Sequence, residues 1–362
     1  MPSLFDPIQL GAIHAPNRIL MAPLTRGRAT KAHVPTEMMA EYYTQRASAG
    51  LIISEATGIS QEGLGWPFAP GLWTDEQVEA WKPVTDSVHA AGGRIIVQMW
   101  HMGRQVHSSV IGGQPVSSSA TATAGQAHTY EGKQDFETAR PLALDEIPRL
   151  LADYELATKN ALAAGFDGVQ IHGANGYLID QFLRDNANFR DDIYGGSIEN
   201  RIRLMREVTE RVAGVAGADR TSIRLSPNGD SQGVDDSNPK ALFVAAAKAL
   251  DEIGIAFLEL REPGPDGTFG RTDVPKLSPE IREAFSNPLV LNSDYRSVEE
   301  AQAAIDSGVA DAIAFGRTFI SNPDLPERLR TGAPLAADNP RTWYSQGAEG
   351  YIDYPALETA EA

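Results

Sequence analysis

Cysteine is absent from all 362 residues. That removes disulfides, thiolate nucleophiles and zinc–sulfur sites at once. Positive charge is scarce: 31 Lys and Arg stand against 48 Asp and Glu, giving a formal net charge of −17. Such a surface repels phosphate backbones, so nucleic acid is a poor partner. No apolar run approaches the roughly 20 residues of a membrane span. The opening MPSLFDPIQL lacks the basic-then-apolar order of a secretory signal. The expectation is a cytoplasmic protein with no membrane partner. Neither a G-x-G-x-x-G nor a Walker-type loop follows the early candidate strands, so those two phosphate-binding fingerprints are missing too.

What is there is alternation. Short apolar runs at 18–23, 51–55, 94–99, 168–171, 222–225, 256–260, 289–291 and 312–315 read as strands buried on both faces. Helical patterns lie between them at 36–48, 74–91, 147–164, 200–213, 239–253 and 297–306. Several end in the glycine expected past a helix, as at Gly165, Gly254 and Gly308. Eight such units favour a (β/α)8 barrel over an open doubly wound sheet. No linker splits the chain, so residues 1–362 are expected to form a single α/β barrel domain. Three stretches fall outside the repeat. Residues 1–17 form a candidate N-terminal plug, and 101–146 a long insertion with its own small strands or a lid. Residues 331–362 form a closing segment rich in aromatics: Trp343, Tyr344, Tyr351 and Tyr354.

Barrel enzymes work at the carboxyl ends of their strands. Those ends carry Thr25, Glu55, Gln98 with Trp100 and His101, a cluster at 172–177, Arg224, Asn292 and Gly316–Arg317. The cluster belongs to IHGANGYLIDQF, residues 171–182, where His172, Asn175 and Tyr177 are separated by Gly173 and Gly176. Glycines let the backbone turn sharply, so a base, an amide and a phenol can face one spot. Gly316 and Arg317 follow the eighth strand, where barrels commonly hold a phosphate; arginine offers a fork of donors to such a group. Glu55, His101 and His172 suggest a facial metal set, though no H-x-H or H-x-x-x-H pair supports it.

Several stretches together resemble the Old Yellow Enzyme family of flavin-dependent ene-reductases. They are NRILMAPLTR, QMWHMGR, GVQIHGANGYLIDQFLRDNANFRDDIYGGSIENR, IRLSP, AFGRTFISNPDLPERL and GAEGYIDYP, in the family's order and across almost the whole chain. The resemblance implies an FMN across the barrel mouth, with NADPH or NADH as hydride donor. Ala22, Pro23, Leu24 and Thr25 would line one flavin edge, with the Thr25 hydroxyl near O4 and N5. Ala56 and Gln98 would contact the ring, Gln98 on the N3 and O2 side. Arg224 would face N1 and O2, and Gly316 and Arg317 would hold the phosphate. His172 and Asn175, beside the flavin, would grip a substrate carbonyl or nitro oxygen, and Tyr177 would supply a proton. Trp66, Trp100 and Tyr351 correspond to substrate-pocket positions.

That assignment has a physical logic. An arginine near N1 favours the reduced, anionic flavin by charge pairing. Two donors on one oxygen draw electrons from a conjugated alkene, so its β-carbon accepts hydride. A phenol on the other face then protonates the α-carbon. Enones, maleimides and nitroalkenes are the implied small-molecule substrates; monomer and homodimer both remain open. The chain departs from the family after strand seven, where VLNSDYRS places polar Asn292, Ser293 and Asp294 in what is often a glycine-rich turn. Glu259 and Arg261 carry no role in this reading. The competing readings are a metal-dependent barrel lyase or aldolase built on Glu55, His101 and His172, and a non-catalytic flavin carrier.

Overall fold

A computed structural model of the protein describes residues 1–264, 270–292 and 295–357. Eight parallel strands close into a barrel: β1 (Ile19–Met21), β2 (Ile52–Gly58), β3 (Ile95–Trp100), β4 (Gly168–His172), β5 (Thr221–Leu225), β6 (Phe257–Arg261), β7 (Leu289–Asn292) and β8 (Ala312–Phe315). Each strand pairs with its neighbour in sequence, and β8 closes onto β1 through Ile313 opposite Ile19. This is the expected (β/α)8 architecture. Between β2 and β3 the register shifts after Ile53 and resumes at Ala56 opposite Gln98. The irregularity sets how the end of β2 meets the barrel mouth.

The outer ring comprises α1 (Glu37–Thr44), α2 (Asp75–Ala90), α3 (Ile147–Ala163), α4 (Arg203–Ala216), α5 (Pro239–Ile253), α6 (Ser278–Ala284), α7 (Val298–Asp306) and α8 (Leu325–Thr331). Local chemistry explains several boundaries. Thr74 accepts from the Gln77 backbone N–H, and the Gln77 side chain accepts from the Thr74 N–H, a reciprocal cap that starts α2. Gly254 ends α5 with a left-handed φ of 74°. The helix read over 36–48 stops at Thr44. The one read over 200–213 divides into a turn at Ile198–Arg201 and then α4. Helices α6 and α8 have only 7 residues each, too short to show a periodic face.

Polarity changes along the barrel interior. At the amino ends of the strands lies an apolar plug: Ile8, Leu10, Ile13 and Ala15 of an N-terminal hairpin cluster with Leu20, Ile53, Ile96, Phe257 and Val290. Toward the carboxyl ends, the buried residues become Gln98, Gln170, Arg224, Glu259 and Asn292. A far larger apolar layer separates strands from helices and supplies most of the burial energy. The insertion after β3 contains a two-stranded hairpin, Gln126–Thr129 with Gly132–Asp135, and a parallel pair, Val116–Ser117 with Arg140–Pro141.

The closing segment is tied to the loop after β1 by two buried arginines. Arg26 donates to the carbonyls of Trp343 (3.0 Å) and Gly350 (2.7 Å). Arg28 donates to those of Trp343 and Thr342, each at 2.8 Å. Charge-assisted bonds to several carbonyls hold this irregular backbone where no sheet could.

Candidate active site

A cavity of about 1210 Å³, its open mouth included, lies at the carboxyl ends of the strands. Ala22, Pro23, Leu24, Thr25, Ala56, Trp66, Gln98, Trp100, His172, Asn175, Tyr177, Arg224, Gly316 and Arg317 all line it. So do Arg26, Gln232, Arg261, Asn292, Ile320, Trp343 and Tyr344, most of which sequence reasoning did not assign to a pocket.

The chain turns between β4 and a short helix, Leu178–Leu183, to present the central cluster. His172 Nδ1 accepts from the Ala174 N–H at 3.3 Å, which leaves the proton on Nε2. Burial, and secondarily the Arg224 charge, hold His172 well below its ordinary pKa. It is therefore a neutral imidazole that can donate from Nε2. Asn175 sits at φ 56°, a left-handed conformation that asparagine tolerates. Gly176 follows at φ 74°, and a Cβ there would lie 2.7 Å from the Ser231 carbonyl oxygen, so only glycine fits.

Two backbone N–H groups of this turn are bound from beneath. Asn175 donates to Ser226 Oγ at 2.8 Å and Gly176 donates to Asp180 Oδ2 at 2.9 Å. Asp180 in turn accepts from Arg184 Nε at 2.8 Å, both side chains fully buried. Sequence reading missed these supports, because Asp180 and Arg184 look like an ordinary i,i+4 helix pair. Asn175 lines the cavity, and its Oδ1 has no hydrogen-bond partner among the described residues.

Tyr177 meets Trp100 edge-on at 5.0 Å between ring centres and His172 at 4.8 Å. Burial raises the phenol above its usual range, with Tyr344 adding to the shift and Arg224 opposing it. It is a protonated phenol at neutral pH. At the mouth, Trp66 lies 4.6 Å from His128 of the insertion hairpin and 5.2 Å from Tyr344. The Arg317 guanidinium lies over Trp343 at 5.6 Å.

On the cavity floor, Arg224 Nη2 donates to Asn292 Oδ1 at 2.6 Å, and Asn292 Nδ2 donates to the Ala314 carbonyl at 2.7 Å. Arg224 Nε is 3.1 Å from Glu259 Oε1, close enough for an ion pair but not aligned as a hydrogen bond. Glu259 thus gains a structural partner that the sequence did not reveal. Ser293 and Asp294 lie outside the described residues, as do residues 265–269 of the loop after β6.

Two expectations are corrected. Tyr351 does not line the cavity: it is fully buried and stacks on Tyr42, rings 4.1 Å apart and 7° from parallel. The guanidinium groups of Arg26 and Arg28 lie over its ring, which packs it into the interior rather than into the cavity. Trp343 and Tyr344, from the same segment, face the cavity instead. Nor do Glu55, His101 and His172 form a metal set. Glu55 accepts the backbone N–H groups of Arg26 and Gly27, each at 3.2 Å, and so anchors the turn after Thr25. His101 Nδ1 accepts from the Gly103 N–H, and burial lowers its pKa to about 3. Among the described residues, no group of three or more His, Asp or Glu is placed to hold a metal ion. No helix among them is long and apolar enough to cross a membrane.

A closed parallel barrel with a polar, arginine-bearing mouth is shared by enzymes of many chemistries, and comparison with known proteins narrows the class. Residues 3–336 match the model of the NADH:flavin oxidoreductase / NADH oxidase family. The chain belongs to this family, that of Old Yellow Enzyme, and is an NAD(P)H:flavin oxidoreductase. It is 66% identical to the Old Yellow Enzyme homologue NCR of Zymomonas mobilis, with a TM-score of 0.97 over 98% of this chain and 100% of that one. Morphinone reductase, solved with tetrahydroNAD, is 45% identical, with a TM-score of 0.94 over 100% of this chain and 99% of its own. A putative 12-oxophytodienoate reductase 11 of Oryza sativa subsp. japonica is 44% identical over 98% of this chain and 97% of its own.

Proposed function

We propose that this protein is an FMN-dependent ene-reductase that uses NADPH or NADH to saturate electron-poor alkenes. One juxtaposition carries the reading: a neutral imidazole donor, the Asn175 amide and a protonated phenol share one cavity with Arg224. Gly316 and Arg317 stand at the cavity wall after β8, where barrels commonly hold a phosphate. FMN, when bound, supplies two-electron hydride exchange between nicotinamide and substrate.

The chain's own residues do the rest. Ala22 to Thr25 and Ala56 would border the bound flavin, while Gln98 and Arg224 would hold its polar edge. His172 Nε2–H and the Asn175 amide donate to the substrate's carbonyl or nitro oxygen. Negative charge grows on that oxygen as hydride adds to the β-carbon and the alkene π bond opens. Tyr177 gives its proton to the α-carbon and regains one from solvent. Trp66, Trp100 and Tyr344 bound the space for a flat, conjugated molecule. Enones, maleimides and nitroalkenes share that chemistry.

The test has two arms. Acid release and chromatography of the bound flavin should give FMN; FAD, or a folded protein that cannot take up FMN, would overturn the cofactor assignment. The reduced protein, held anaerobically with cyclohexenone, should reoxidise and yield cyclohexanone. Reoxidation by oxygen alone, with no turnover of any activated alkene, would leave only a flavin reductase.

A further inference from the structure

Glu259 is fully buried on β6, beneath the cavity, and touches two different parts of its floor. Its Oε2 accepts from Gln170 Nε2 at 2.8 Å. Gln170 Oε1 accepts from Gln98 Nε2, also at 2.8 Å. A carboxylate can only accept, so Gln170 must turn its NH2 toward Glu259 and its oxygen toward Gln98. Gln98 must then give one of its two N–H groups to Gln170, which leaves its carbonyl oxygen and the other N–H, in a fixed orientation, for whatever lies in the cavity it lines. The far end of a two-amide relay thus decides which way the Gln98 amide is turned toward a ligand.

The other oxygen of Glu259 lies 3.1 Å from Arg224 Nε. Asn292 holds the same guanidinium at Nη2, with its amide orientation set by the Ala314 carbonyl. Arg224 is thereby gripped from two sides, and one of those grips carries a full negative charge. In a buried setting such a charge is poorly screened.

We propose that Glu259 is a positioning residue for the flavin, orienting Gln98 through Gln170 and offsetting the charge of Arg224, and that it thereby sets the cofactor's affinity and reduction potential. The inference rests on the placement of the flavin at this floor, as in the proposed function. Reduction adds negative charge to the flavin, and Glu259 opposes that charge while Arg224 favours it. Glu259→Gln removes the opposition and keeps the arginine, so the reduced form should gain.

The experiment is a redox titration of flavin-loaded wild type and Glu259→Gln, with the dissociation constant for FMN measured for each protein. In the variant, the preference for reduced over oxidised flavin should rise about tenfold or more, which is about +30 mV for a two-electron couple. A potential that is unchanged or lower in the flavin-bound variant overturns the charge offset. Gln170→Leu tests the relay without altering any charge, and it remains informative if Glu259→Gln does not fold. It should weaken binding of oxidised FMN by about tenfold, and wild-type affinity overturns the relay. Wild-type protein that binds no flavin would overturn the reading of the site itself, a result distinct from either of these.

Discussion

Replacing Tyr177 by Phe removes one oxygen and leaves the ring wedged between Trp100 and His172. Hydride transfer from nicotinamide to flavin needs no proton from the protein, so that half-reaction should keep its rate. Reoxidation by cyclohexenone should slow by ~10²–10⁴-fold, the usual contribution of a positioned general acid. Stopped-flow traces of both half-reactions decide the matter; equal slowing of the two would mark a packing defect and remove Tyr177 from the chemistry. His172, Asn175 and Tyr177 were legible in the sequence because glycines separate them just past a strand-like run. Glu259 and Gln170 were not. They sit inside strands two places apart around the barrel, and nothing in a linear chain reports that inward-facing polar groups on β4 and β6 meet. Tyr351 misled for a related reason: an aromatic in an irregular segment carries no periodicity to say which way it faces.

At the scale of an element, the short helix Leu178–Leu183 acts as a mount for the turn that carries Asn175 and Gly176. Asp180 joins two duties, neutralising the buried Arg184 and accepting the Gly176 N–H. Asp180→Ala leaves a guanidinium buried without its counter-charge, which costs about 3–5 kcal/mol. Asp180→Asn keeps an acceptor and the shape but loses the charge, so it should cost less than the alanine variant. Urea unfolding of the three proteins provides the ranking, and an alanine variant as stable as wild type would show that the pair contributes nothing. Element positions along the chain were largely readable, since strands buried on both faces stand out as apolar runs; Ala312–Phe315 matches its expected span. Helices α6 and α8 escaped because two turns give too few residues for a 3.6-residue period to show.

Across the whole molecule, burial holds four histidines below their ordinary pKa: His33, His101, His128 and His172, with His101 at about 3. The unfolded chain takes up these protons near pH 6.5, whereas the folded one resists. Between those limits the unfolded state binds more protons, so stability falls as pH drops below about 6.5. Glu55 and Asp153, both of which burial raises, have the opposite slope but are two groups against four. The thermal midpoint at constant FMN should therefore decline from pH 7 to pH 5, and His101→Gln should flatten the decline. A midpoint constant over that range would refute this account. The arginine tie between the turn after β1 and residues 342–350 has a consequence of another kind. On a ribosome the chain emerges in order, and β1 must wait for β8 before the ring of strands can close. Even then the cavity lacks Trp343 and Tyr344, which follow β8 by nearly thirty residues. The nascent protein can bury most of its core before this wall exists. That wall is thus among the last parts of the cavity to form, and a chain stalled just after β8 would be a nearly complete barrel whose mouth already carries Gln98 and Arg224 but stands open on the side of Trp343 and Tyr344.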